Sequence, residues 1–373
     1  MVDATKLLTA YLRPPGKGVY TVSTGKNMAD KLLETIYKTS NEAKVHHHWK
    51  QALTKIASAK VILLGCPSDN GAGIVRGANM GPFGLRTKLY KNLSFKKWIS
   101  QGTVLDIGDI FVIPQLLHDE MLTEAQKEKN RKYLYPNEKS VLPVSPLSIL
   151  KKTTDFILEQ NLSAKIMLLG GDHSLSWPMV EAYSDHLKKP FLILHIDAHT
   201  DLLSSRLGID YCFGTWAHHA NERIGRNKRM VQVGIRTSGK NKKHWESSCD
   251  LTQFWAKDIL KNPKKALENI ITLFESHGIP ELYISNDIDG TGMEYAAATG
   301  TPEPKGLKPL WVSTLIERIG QKFNIIGTDL VEVAPVLHLN RKGEPDKTLN
   351  VGSEYVMKSI SAMLRAYSST DRM

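Results

Sequence analysis

At 373 residues the chain is long enough for one large α/β domain or two ordinary ones, and its 41% hydrophobic and 23% charged shares suit a globular protein. Its formal net charge is +11, but the basic residues are scattered and no nucleic-acid-binding motif accompanies them, so no nucleic-acid partner is expected. No apolar run approaches the roughly 18–20 residues of a membrane span and the N-terminus lacks the zones of a secretory signal, which leaves a cytoplasmic protein without a membrane partner.

Residues 1–55 carry no strand signal and are expected to form an N-terminal extension, with residues 56–373 as one domain. HHH at 46–48 is expected on a solvated helix, because neighbouring helical side chains point about 100° apart and do not converge on one ion. Apolar runs then recur: KVILLGCP (60–67), TVLDIGDI (103–110), KIMLLGGD (165–172), FLILHID (191–197), MVQVGIR (230–236), LYISNDID (282–289) and FNIIGTDLVEV (323–333). Continuous Val, Ile and Leu, without alternation, suit strands covered on both faces, as in a parallel sheet. Residues 118–139 are polar and read as a surface insertion. Helices are expected at 145–162, with Ser145 as N-cap and Pro146 at the first helical position, at 262–278, and at 353–369 as a closing helix. Strand–helix alternation predicts an α/β fold with a mainly parallel sheet.

Ligands of such sheets gather at the carboxyl ends of the strands. Three runs end there in metal-competent residues: Asp172 and His173 in GGDHS, Asp197, His199 and Asp201 in DAHTD, Asp287 and Asp289 in SNDID. In extended chain, residues two apart share a face, so each set can aim at one point. Four carboxylates (Asp197, Asp201, Asp287, Asp289) and two neutral imidazoles (His173, His199) offset two divalent cations. Oxygen-rich ligation without thiolate points to Mn2+, with Ni2+, iron or cobalt open. Water between two such ions ionises near neutral pH and becomes a nucleophile. Glu332, at another strand end, can accept paired hydrogen bonds from a planar cation. The cysteines, Cys66, Cys212 and Cys249, form no CxxC pair, and an inert buried thiol is the expectation for Cys212.

GGDHS, DAHTD, SNDID, ATGTP (298–302) and DLVEV (329–333), together with PSDNGAGIVRGANMGPFGLR (67–86), resemble the arginase/agmatinase (ureohydrolase) family across roughly residues 60–365. The resemblance implies a three-layer α/β/α fold, a two-manganese centre, hydrolysis of a guanidino carbon to urea and an amine, and a homotrimer or homohexamer. It implies one ion held by His173, Asp197, Asp201 and Asp287 and a second by Asp197, His199, Asp287 and Asp289. Glu332 matches the family glutamate that binds the guanidinium, and Thr301 the threonine facing it.

Two departures bear on substrate. Many relatives carry a proton-shuttling histidine where this chain has Phe213; proton transfer to the leaving amine then falls to Asp201, a water chain, or His218 or His219. The polar loop that grips the head of arginine is absent from LLSSRLGIDYCF (202–213). Leu202, Leu203, Tyr211, Phe213 and Trp216 are expected to narrow the pocket for a small guanidino compound: guanidine, a guanidino acid or agmatine. GTGMEYAAATGTP (290–302) resembles the guanidine-hydrolase branch. A non-catalytic, metal- or ligand-binding regulatory protein is the alternative; a cysteine enzyme using Cys212 leaves the metal set unexplained.

Overall fold

Each of the seven apolar runs becomes a strand, and the flanking strands are supplied by segments with no such run. A computed structural model describes residues 4–20, 25–73, 75–136, 140–337 and 341–365. Among the described residues nine strands form one sheet: β1 (Leu12–Arg13), β2 (Val61–Gly65), β3 (Val104–Ile110), β4 (Lys165–Leu169), β5 (Leu192–Ile196), β6 (Met230–Ile235), β7 (Thr252–Trp255), β8 (Glu281–Asp287) and β9 (Asn324–Val331). Their order is β1-β3-β2-β4-β9-β8-β5-β6-β7. All neighbours run parallel except β1, which pairs antiparallel with β3.

Alternate strand residues feed two separate cores, which is why the runs are apolar at most positions. Ile62 and Leu64 of β2 join Leu147, Ile157, Met179 and Ala217 on one face. Val61 and Leu63 join Leu85, Phe274, Leu315 and Val356 on the other. Helices Pro146–Gln160 and Ser176–Leu187 cover the first face; Gly81–Leu89, Pro263–Ser276, Pro309–Lys322 and Asp346–Leu364 cover the second. The result is the three-layer α/β/α arrangement with a mainly parallel sheet.

Several local expectations need correction. Residues 1–55 do contain a strand, β1, and Leu8, Tyr11, Trp49 and Leu53 there are buried in the first core, with Trp49 Nε1 donating to the Ile107 carbonyl at 2.8 Å. The strand escaped notice because two residues at a sheet edge need no apolar run. Ser145 does sit before the helix, but its buried hydroxyl caps nothing. The closing helix begins at Asp346, seven residues earlier than expected, and residues 366–369 lie outside the described ones. The stretch 118–139 carries an exposed helix, Glu124–Leu134, closed at its start by a Thr123–Gln126 capping box; residues 137–139 are outside the described set. The HHH triplet lies in helix Glu42–Leu53, with His47 and His48 exposed. Among the described residues no helix is long and apolar enough to cross a membrane.

Candidate metal centre

β4, β9, β8 and β5 are consecutive across the sheet, so the residues that follow them meet at one edge although the chain separates them widely. The turn after β4 makes the closest backbone approach: a Cβ on Gly171 would collide with the Ser68 carbonyl, which explains the second glycine of GGDHS. Asp172 then accepts from the Ser174 and Gly71 amides at 2.8 and 2.9 Å, anchoring the turn. Its carboxylate is thereby committed to the backbone, and the next residue, His173, faces the cluster.

His173 Nδ1 lies 3.2 Å from Asp197 Oδ2, 3.2 Å from Asp287 Oδ2 and 3.4 Å from Asp201 Oδ2. Among the described residues Nδ1 is buried without a hydrogen-bond partner. One imidazole nitrogen surrounded by three carboxylate oxygens, none taking its hydrogen bond, is a cavity built for a cation. His173 Nε2 meets Ser285 Oγ at 2.9 Å, and Ser285 Oγ reaches Asp329 Oδ1 at 3.0 Å, so the opposite ring nitrogen is aimed by a buried carboxylate through a hydroxyl. A second group adjoins: His199 Nδ1 is 3.1 Å from Asp289 Oδ2 and 3.4 Å from Asp197 Oδ1. Asp197 thus offers one oxygen to each group. The residues fit two divalent cations.

Burial opposes ionisation at Asp197, but the imidazoles of His173, His195 and His199 outweigh it and hold the carboxyl well below its usual range. Burial, then the Asp197 charge, pushes Asp201 well above that range; burial, then Asp289 and Asp197, does the same to Asp287. His173 and His199 are raised despite burial, because carboxylates surround them. Without metal the site therefore stores protons that a metal must displace. Groups raised on folding contribute stability that is full below their unfolded values and is lost as pH rises. For the two histidines that loss starts near pH ~6.5. The metal-free protein is expected to show a thermal midpoint falling steadily from about pH 6.5 to 9, and Mn2+ should abolish or reverse the slope. A flat or rising midpoint in calorimetry of the metal-free protein would contradict this charge arrangement.

Asp201 and Glu332 both have left-handed backbones, with φ of 51° and 60°, conformations that cost non-glycine residues energy and cluster at functional sites. Glu332 Oε1 accepts from the His173 amide at 3.0 Å, and its backbone amide donates to the Gly171 carbonyl at 2.7 Å. The carboxylate is buried beside the cluster. Thr301 is brought to the same place, but its hydroxyl donates to Asp289 Oδ2 at 2.8 Å.

Three expectations about the pocket change. Trp216 does not line it. The indole is buried beneath the cluster, stacked on His173 with centroids 4.5 Å apart, and donates to Asp201 Oδ2 at 3.1 Å. The His218 ring lies on the outward side of helix Trp216–Arg223, against His219 and near Glu222 and Arg226; only its backbone amide reaches the cluster, donating to the Asp201 carbonyl at 3.2 Å. Tyr211 packs on His118, 4.3 Å between centroids. Phe213 does face a groove of about 700 Å³ beside Gly71, Gly73, Arg76 and Arg206, with the Arg206 guanidinium 5.0 Å from the ring centroid. Cys212 is buried, and burial raises its thiol, which suits an inert residue.

His195 went unrecognised as part of the site. It sits two residues before Asp197, on the same strand face, and its Nε2 meets Asp197 Oδ2 at 2.8 Å. Its Nδ1 is occupied by Gln232 at 2.9 Å, so both ring nitrogens are engaged.

The arginase family matches residues 59–361 of this chain. The chain belongs to the arginase family. A mitochondrial agmatinase of Gallus gallus is 34% identical over 178 residues, 46% of this chain and 50% of that protein, so this match spans about half the length of each. A putative agmatinase of Schizosaccharomyces pombe is 28% identical over 312 residues, 77% of this chain and 74% of that protein. The proclavaminate amidino hydrolase of Streptomyces clavuligerus superposes with a TM-score of 0.64 at 23% identity, covering 82% of this chain and 92% of that one, which bears on the fold alone. Arginase-family members are ureohydrolases, which act on guanidino compounds, and the cluster above occupies the motifs by which this chain resembles them.

Proposed function

We propose that this protein hydrolyses a small guanidino compound to urea and an amine, or ammonia, at a centre of two divalent ions, Mn2+ with Ni2+ as the alternative. The observation that carries this reading is His173 Nδ1, buried and unpartnered among Asp197, Asp201 and Asp287, with the Glu332 carboxylate anchored on the His173 amide. When bound, the ions supply an ionised water at neutral pH to a planar carbon. Glu332 takes the cationic N–H groups of the substrate and turns the guanidino carbon toward the cluster. Asp201 carries the proton to the leaving amine. Its Oδ2 already accepts from Trp216, so the proton rides on Oδ1. Family likeness supports a homotrimer or homohexamer.

We propose that the groove beside Phe213 receives the part of the substrate remote from the cluster, and its charge then narrows the substrate. Its described lining includes Arg76 and Arg206 and no carboxylate. Agmatine would place a second cation beside two guanidinium groups, whereas a guanidino acid would place a carboxylate there and free guanidine nothing. The expected result of a urea-release screen is turnover of guanidine or a guanidino acid with kcat/KM at least about tenfold above agmatine, equivalent to roughly 1.4 kcal/mol. The screen covers guanidine, guanidinoacetate, guanidinopropionate, guanidinobutyrate, agmatine, arginine and formiminoglutamate, with Mn2+- and Ni2+-loaded protein. No product from any of them with either metal would overturn the enzyme reading and favour a non-catalytic ligand-binding protein. Phe213 is the feature that favours this second reading, although a lost proton shuttle slows catalysis only about 10²–10⁴-fold.

A further inference from the structure

Behind the Asp197 carboxylate runs a buried polar chain that crosses three strands. His195 of β5, Gln232 of β6 and Gln253 of β7 are register partners, each fully buried. Trp255 Nε1 lies 2.8 Å from Gln253 Oε1, Gln253 Nε2 lies 2.7 Å from Gln232 Oε1, and Gln232 Nε2 lies 2.9 Å from His195 Nδ1. Gln232 Nε2 also lies 2.6 Å from the Thr200 carbonyl. Three buried polar residues in such a position need a reason, since unpaired they would be costly.

Both ends of the chain have a direction that cannot be reversed. The indole N–H only donates, so Gln253 must present its oxygen to Trp255 and its amide to Gln232. The Thr200 carbonyl only accepts, so Gln232 must present its amide to Thr200, and that same amide faces His195. The two ends independently require Nδ1 of His195 to be an acceptor. A proton on Nδ1 would meet an N–H. The ring is therefore neutral, with its hydrogen on Nε2, directed at Asp197 Oδ2 at 2.8 Å. Asp197 Oδ1 is held by the His199 amide at 2.6 Å. Both oxygens are thus oriented by one N–H each, and a carboxylate has lone pairs left for two cations.

We propose that Gln232, backed by Gln253 and Trp255, is a positioning residue that locks His195 as the neutral Nε2–H tautomer and so fixes the shared ligand Asp197 for metal. The effect on metal rests on the reading of Asp197 as a ligand; the tautomer lock does not. It also explains a histidine beside a metal cluster that does not compete for the metal, because both its nitrogens are engaged.

The test uses full-length, metal-stripped protein, with Mn2+ affinity measured by titration and the His195 ring nitrogens observed in 15N-histidine-labelled protein. The His195 signals are assigned by their loss in His195→Gln. In the unmodified chain His195 carries its proton on Nε2 and accepts at Nδ1. Gln232→Glu turns an acceptor toward Nδ1, draws a proton there, and weakens Mn2+ binding roughly 10–100-fold, as loss of an outer-shell partner does. Should that variant not fold, Gln232→Met is measured in the same way and gives a ring without a fixed tautomer and weaker Mn2+ binding. A protonated Nδ1 in the unmodified protein overturns the proposal. So does a folded variant with lowered thermal stability but unchanged Mn2+ affinity, which would make the chain merely structural. If the unmodified protein binds no Mn2+ while His195 has the stated tautomer, the lock stands and the metal-centre reading fails.

Discussion

Asp287→Asn is expected to abolish metal retention and, with it, urea release. Asp287 ends β8 nearly fully buried, offers Oδ2 3.2 Å from the unpartnered His173 nitrogen, and uses Oδ1 to accept from the Asp289 amide at 2.8 Å. Asparagine can preserve that second bond and the shape, yet its amide nitrogen has no lone pair for a cation. Outer-shell changes typically cost 10–100-fold in metal affinity, and loss of a carboxylate that faces the cation directly should cost at least about a hundredfold. The metal-free variant should be no less stable than its parent, because burial and the charges of Asp289 and Asp197 already disfavour an ionised Asp287. Metal content after gel filtration, urea release and the metal-free melting temperature check the three parts separately. Full metal content and activity would mean that the cluster is misassigned.

Glu332→Gln should leave metal content intact and strike substrate binding. The replacement keeps an acceptor for the His173 amide but turns an N–H toward the guanidinium, opposing donor to donor. Removing one partner of a buried ion pair costs about 3–5 kcal/mol, so kcat/KM should fall by roughly two to three and a half powers of ten, chiefly through KM. Burial first, then the Asp172 charge, raises the Glu332 carboxyl well above its usual range. Protonation as pH falls through that raised value removes the guanidinium partner, so the parent should show an acid limb in kcat/KM, and the glutamine variant should lose it. An unaltered KM and an unaltered acid limb would remove Glu332 from the substrate site.

Much of this was legible before any fold was known. Six separated residues could be grouped because aspartates and histidines at the ends of apolar runs are expensive to bury singly and spaced two apart share a face. The seven main strands were equally plain, since strands buried on both sides are apolar at most positions. β7 was not, because TQFW spends one of its four positions on Gln253, whose polar side chain is justified only by Gln232 and Trp255. His195 lies within the run FLILHID, yet its role depends on Gln232, 37 residues away, and could not be read from spacing.

The chain alone determined which residues can ligate metal and that a further strand-end carboxylate, Glu332, accompanies them, because those are properties of residue type and strand-end position. Only the tertiary structure decided where side chains on the intervening helix and loops point. Trp216 and His218 are two residues apart, and helical geometry sends them to different faces: one donates to Asp201 from below the cluster, the other looks outward. It also brought β4, β9, β8 and β5 side by side, against their order in the chain. Hydrogen-bond direction across neighbouring strands is set by which residues come into register, and register is a property of the folded sheet.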